Sequence, residues 1–224
     1  MSFDIMMRLT EVMLALVVLQ TAVEHFWMGR DRALFATRAL ACVWLLAGAY
    51  SELAVGGLWL TGLVLLHRFG GPYNGGADKM TMLITTCLGA AHLFPGWADL
   101  AMAYLAVQLV LSYFVSGYVK LVNPEWRSGQ ALVDVFRFSA YPVSERLRGW
   151  ALKPRLLWLM SWSVIGFEVT FPLTLLNPIS LLAGMVVAAT FHLANACLFG
   201  LNRFFWIWLC AYPSLIWLQE RVLG

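Results

Sequence analysis

The sequence predicts an all-α, polytopic transmembrane helical bundle of about eight spans, and three observations predict it. The 224 residues are 61% hydrophobic and only 12% charged, whereas a soluble domain is about half apolar and a quarter charged. The mean hydropathy is +0.76. The chain holds 11 Trp, 14 Phe and 7 Tyr, which suits a bilayer protein, since both water interfaces of a membrane favour Trp and Tyr. These values exclude a large soluble enzyme, because too few charges remain to cover a surface that faces water on every side.

A span needs about 20 mostly apolar residues. The runs that qualify are 5–26, 34–50, 52–67, 78–94, 97–119, 155–175, 178–198 and 201–220. The first carries Glu11 and Glu24 and lacks a small-residue cleavage site, so it reads as a span rather than a signal peptide. The second and third are short, and only Ser51, Glu52 and the Gly56-Gly57 pair separate them. Charge placement argues against fusing them, because cytoplasmic loops collect Lys and Arg. Eight spans put Arg30, Arg32, Arg38, Arg68, Lys79, the 121–155 segment and Arg203 on one face. The loops around 51, 95–97 and 176–178 then carry neither Lys nor Arg, and both termini share their face. The expectation is one transmembrane domain over 1–224, multi-pass in the cell membrane.

Only 121–154 is long and not spanning. Pro124, Gly129 and Pro142 punctuate it. Between them Ala131, Leu132, Val135 and Phe136 recur at helical spacing, which predicts a short helix lying in the interface, with a solvated loop as the competitor. The net charge of +3 points to membrane lipids as partners and not to nucleic acid, since no Lys/Arg run is dense enough to track phosphates. Cys42, Cys87, Cys197 and Cys210 share no CxxC spacing and sit in apolar runs, so no metal site is expected.

Polar groups inside spans are costly and usually face the bundle interior. Four clusters qualify. The first is Tyr113, Ser116, Gly117, Tyr118 and Lys120 at the end of a nearly uncharged run. A lysine partly withdrawn from water is a usable base, while a lysine at a helix end otherwise snorkels to the headgroups. The second is His192, Asn195 and Asn202, one stripe at helical spacing. It suits a polar ligand, or equally hydrogen bonds between helices. The third is Glu168 in mid-span, either a functional acid or a neutral carboxylic acid holding helices together. The fourth is Arg68, Asn74, Gly75, Gly76 and Asp78 in RFGGPYNGGADKM. Its glycines allow a tight re-entrant turn, and Asp78 suits the start of the next helix.

These segments together resemble the membrane domain of the vitamin K-dependent gamma-carboxylase family, whose bacterial relatives are the horizontally transferred transmembrane domain proteins. Tyr113, Phe114, Gly117, Lys120, Trp126 and Gly129 stand in the order of the family's Tyr-Phe-x-x-Gly-x-x-Lys element and the Trp and Gly that follow it. Phe191, His192 and Asn195 match a later Phe-His-x-x-Asn element. The similarity runs over about residues 5 to 220.

The resemblance implies a membrane enzyme acting with a quinol, or vitamin K-like hydroquinone, as cofactor. Lys120 would be the base that deprotonates it and His192 a neighbouring catalytic residue. Asn74, Tyr113, Trp126, Glu168 and Asn195 are the expected cofactor contacts. The family's Asn-His pair has no counterpart, because Asn74 is followed by Gly75. The carboxylase also carries a large folded region after its membrane part, and this chain ends at Gly224. The expectation is therefore quinol-dependent oxidation rather than protein carboxylation. The carboxylase site opens to the lumen, whereas the charge rule assigns Lys120 to the cytoplasmic face.

The competing class is a non-catalytic accessory, immunity or assembly subunit bound to a membrane protein partner. A peptide substrate fits the enzyme class instead. A transporter lacks support, since the sequence shows no inverted repeat.

Overall fold

In the computed structural model, residues 1–29, 31–72, 75–138 and 145–223 are described. Every regular element among them is helical. The long helices are α1 (Phe3–Met28), α2 (Arg32–Ala47), α3 (Ser51–Arg68), α4 (Gly76–Leu93), α5 (Ala98–Val122), α8 (Pro154–Thr170) and α9 (Pro178–Phe199). Shorter ones are α6 (Pro124–Ser128), α7 (Gln130–Phe138), α10 (Asn202–Leu209) and α11 (Tyr212–Leu223). Chain contacts form two compact units, Met1–Val107 with Trp206–Val222, and Gln108–Phe205.

Among the described residues, four stretches are long and apolar enough to cross a membrane: Phe3–Met28, Pro95–Val122, Pro154–Leu176 and Pro178–Phe199. The helices α2, α3 and α4 have 16, 18 and 18 residues. At 1.5 Å per residue they reach about 24–27 Å, just short of a bilayer core of about 30 Å.

The expected break between the second and third runs is present. Gly48 closes α2 in the left-handed region at φ 77, and Tyr50 precedes α3 at φ 51. The run 201–220, expected as one span, is two helices. Pro213 has no N–H to give the carbonyl of Leu209, so α10 stops there and α11 restarts with proline in its first turn. Pro172 similarly ends α8 and leads into a 3-10 turn over Phe171–Leu176. Two helices start at Asn-Pro: the side chains of Asn123 and Asn177 accept from the backbone N–H of Glu125 and Ile179, each at 2.8 Å.

In the first unit, Leu14, Cys42, Leu45, Val55, Leu58, Ile84 and Leu88 are buried between α1, α2, α3 and α4. A polar lock crosses this core. Glu11, 3% exposed, accepts from Arg8 Nη1 at 3.0 Å and contacts His92 Nε2 at 2.6 Å. Arg8 also donates to the carbonyls of Leu45 and Leu46 at 2.8 and 2.6 Å, which caps the end of α2.

In the second unit, the predicted short helix within 121–154 forms as α7. Its apolar side is spent on protein: Leu132, Val133 and Phe136 pack with Ala151 and Leu157 into a core flanked by Trp126, Trp150 and Phe199. Asp134 and Arg137 lie on its more exposed sides.

Candidate functional site

The site grows from one face of α5. Positions 113, 116/117 and 120 recur at three- and four-residue spacing, so they stack along one stripe of the helix. The structure brings α8 against that stripe at Gly117. A Cβ on Gly117 would lie 2.7 Å from Glu168 Cβ and 2.7 Å from the Val169 nitrogen. Only glycine permits this approach.

The approach delivers Glu168 to Lys120. Lys120 Nζ donates to Glu168 Oε2 at 2.7 Å, to Oε1 at 2.9 Å and to Ser116 Oγ at 2.5 Å. Ser116 in turn donates to Glu168 Oε1 at 3.1 Å. The side chains of Lys120 and Glu168 are 14% and 3% exposed, so this is a buried, charge-assisted pair rather than a snorkelling lysine. Trp126 closes the other side, with the Lys120 ammonium 5.1 Å from its ring centroid.

Trp126 is itself held. Its carbonyl accepts from Ser161 Oγ on α8. Gly129, at φ +81, lets the turn after α6 close onto α8, with Trp158 Cα 2.9 Å from where a Cβ would stand. Tyr113, Gly117, Lys120, Trp126 and Gly129 are thus joined through what each does around α8 and its neighbours.

Two turns earlier on α5, Tyr113 Oη and His192 Nε2 share a hydrogen bond of 2.8 Å. Both residues are buried, at 2% and 1% exposed. Phe167 and Phe171 pack on the Tyr113 ring at 5.5 and 4.3 Å between centroids, and Phe204 on His192 at 5.4 Å. Since Phe167 precedes Glu168, an aromatic wall runs from the tyrosine–histidine contact to the lysine–glutamate pair.

The remaining expected residues divide. Asn195 is half-buried near the end of α9, one turn beyond His192. Asn202 leaves the expected stripe, because Gly200 turns the chain at φ 70 and Asn202 opens α10. Tyr118 is 54% exposed. Asn74 lies outside the described residues. Asp78 sits in the first turn of α4, and Arg68 is ion-paired with Asp31. Ser161 and the two ring partners Phe167 and Phe171 carry no sequence signal of their own, being ordinary residues of an apolar run. Among the described residues, no group of three or more His, Cys, Asp or Glu could hold a metal ion.

No curated protein and no solved structure matches this chain. Residues 89–219, more than half of its length, match the HTTM domain. The match contains both hydrogen-bonded pairs and their aromatic wall. The chain is therefore a membrane protein belonging to the HTTM domain family, the transmembrane-type domain family of vitamin K-dependent gamma-carboxylases.

Proposed function

We propose that this chain is a multi-pass membrane enzyme of the cell membrane that acts with a quinol-type, lipid-soluble reductant, with Lys120 as the base. The observation that carries this reading is the buried triad of Lys120, Glu168 and Ser116 beside Trp126. What supports the reading is the chemistry of the donor set: a flat aromatic face at Trp126 would suit a ring, and the lysine–glutamate pair would suit a hydroxyl. A bound hydroquinone would supply an acidic hydroxyl and, once deprotonated, an electron-rich ring open to oxygen.

The chain's own part is proton handling. Lys120 and Glu168 are two bases that hold one proton between them. At rest that proton sits on Lys120, whose ammonium makes three donations; passed to Glu168, it would leave a neutral amine able to take a hydroxyl proton. The pair then stands as ammonium and carboxylic acid, with one positive charge to face the anion left behind. Ser116, which accepts from Lys120 and donates to Glu168, orients both. Tyr113 and His192, hydrogen-bonded to each other, would support the α5–α9 contact beside this site.

Charge balance within the pair also suits a purely structural tie, as the subunit class requires. Quinol oxidation by membranes bearing variants separates the two. Lys120→Ala alone strands a buried carboxylate, so it is paired with Lys120→Ala/Glu168→Ala, which removes both charges. The enzyme reading expects both variants, and Lys120→Arg, to lose turnover, while the double variant still accumulates as a folded protein. Full activity in the folded double variant would eliminate the base role.

A further inference from the structure

A groove of about 420 Å³ opens on the first turns of α8, lined by Pro154, Arg155, Trp158 and Leu159. That is the size of a small-molecule site, about 300–1,000 Å³. Arg155, Trp158, Leu159 and Trp162 are all exposed. Positions 155, 158/159, 162 and 166 share one stripe of the helix, so the stripe continues the groove along the helix axis. Gly166 adds no side chain to that stripe, and nothing lies within 4 Å of where its Cβ would stand.

The aromatic wall of the groove is fixed by the protein. The turn at Gly129 backs Trp158, whose Cα and backbone nitrogen lie 2.9 and 3.0 Å from where a Cβ of Gly129 would stand. Trp162 Nε1 donates to the carbonyl of Arg127 at 3.1 Å, and its ring centroid is 6.4 Å from that of Trp158. A wall shaped in advance loses little freedom when a ligand arrives.

The groove is cationic at its mouth and apolar beyond it. Arg155 stands in the first turn of α8, two residues after Lys153. Neither side chain has a hydrogen bond or an ion pair among the described residues. The nearest acids in sequence on either side, Glu145 and Glu168, are paired with Arg148 and Lys120. The depth matches this polarity. Pro154–Leu176 is long and apolar enough to cross a membrane, and Arg155 is one residue in from its start. The guanidinium therefore meets the headgroups, while Trp162, at 1.5 Å per residue, lies about 10 Å further toward hydrocarbon.

We propose that this groove binds one anionic phospholipid, its phosphate gripped by the fork of Arg155 and an acyl chain lying along Trp158, Leu159 and Trp162. Charge complementarity selects the headgroup: a zwitterionic lipid would bring its own cation to a mouth that already holds Arg155 and Lys153. The test is thermal unfolding of the full chain in a nonionic detergent, followed by tryptophan fluorescence, with apparent affinity read from the shift against added ligand. The probes are phosphatidylglycerol, phosphatidylcholine and glycerol 3-phosphate, the last being the headgroup phosphate without a chain. Salt at about 0.15 M screens charges more than about 8 Å away.

Phosphatidylglycerol should raise the melting temperature more than either other probe at equal concentration. Arg155→Gln should weaken phosphatidylglycerol at least about tenfold, the worth of a charged hydrogen bond. Arg155 is exposed and supports no partner among the described residues, so this variant folds. Arg137 is an exposed charge that does not line the groove, and Arg137→Gln should leave the affinity within about twofold. The proposal is overturned if phosphatidylglycerol does not shift the wild type, or if phosphatidylcholine or glycerol 3-phosphate shifts it as far. It is equally overturned if Arg155→Gln responds like the wild type or if Arg137→Gln weakens binding as much. A melt that ignores phosphatidylglycerol and rises with protein concentration assigns the groove to a second copy of the chain, and overturns the lipid site too.

Discussion

Gly117→Ala tests the geometry around Lys120 without touching a charge. The added methyl would stand 2.7 Å from Glu168 Cβ and from the Val169 nitrogen, and 2.9 Å from the Glu168 carbonyl carbon. None of these is the far end of a flexible side chain. Moving from 2.7 Å to the 3.4 Å at which ordinary contact begins requires α8 to retreat about 0.7 Å. Overpacking of this kind costs about 1–3 kcal/mol, against a helix-propensity gain of about 1 kcal/mol for alanine over glycine. Gly166, on α8, supplies the control, since nothing lies within 4 Å of its would-be Cβ. Gly166→Ala should therefore show the propensity gain alone. The two variants should differ by about 1–3 kcal/mol, or roughly 2–12 °C in melting temperature for a chain of this size. Detergent-purified protein followed by tryptophan fluorescence reads this directly. The retreat also stretches the 2.7 and 2.9 Å contacts between Lys120 and Glu168, so turnover should fall in Gly117→Ala and not in Gly166→Ala. If Gly117→Ala melts at or above Gly166→Ala, α8 does not cross α5 at this glycine and the account of the pair fails.

Further outcomes follow from the same contacts. Lys120→Ala should destabilise by up to about 3–5 kcal/mol by leaving Glu168 buried alone, and adding Glu168→Ala should recover much of the loss in a thermal melt. Tyr113→Phe should cost about 1–3 kcal/mol, because it removes one partner of a buried hydrogen bond; a melt indistinguishable from wild type would contradict the contact with His192. Gly129→Ala should destabilise more than its φ of +81 alone explains, since the new methyl also meets Trp158 backbone atoms at 2.9 and 3.0 Å, and limited proteolysis near 130–150 should report the loosened turn. Ser161→Ala should cost about 1 kcal/mol and reduce turnover, because the Trp126 carbonyl loses its donor from α8.

Composition and apolar runs were enough to read the helical class, and the glycine and aromatic pattern around 113–129 was enough to read the family. The partners of each polar group were not legible. Lys120 and Glu168 each stand out as a charge in an apolar run, yet they are 48 residues apart, and nothing local says that α8 meets α5 at Gly117. The single run 201–220 looked continuous because hydropathy does not register the N–H missing from Pro213. Arg38 looked like a face charge because Arg30 and Arg32 lie close to it in sequence. Burial at that position depends on Gly62 and Thr61, more than 20 residues away.

The grip of Arg8 on the last carbonyls of α2 bears on how the chain is made. The end of α2 is synthesised after α1, and its carbonyls at Leu45 and Leu46 find their donor only when α1 lies beside it. Were α1 to leave the insertion site before α2 arrived, those two carbonyls would lack their donor. An N-terminal helix swapped for a generic anchor would still insert, but it would leave a frayed hairpin exposed to lipid. Such a chain is the kind that membrane quality-control proteases remove, so its abundance would fall before any question of catalysis arose.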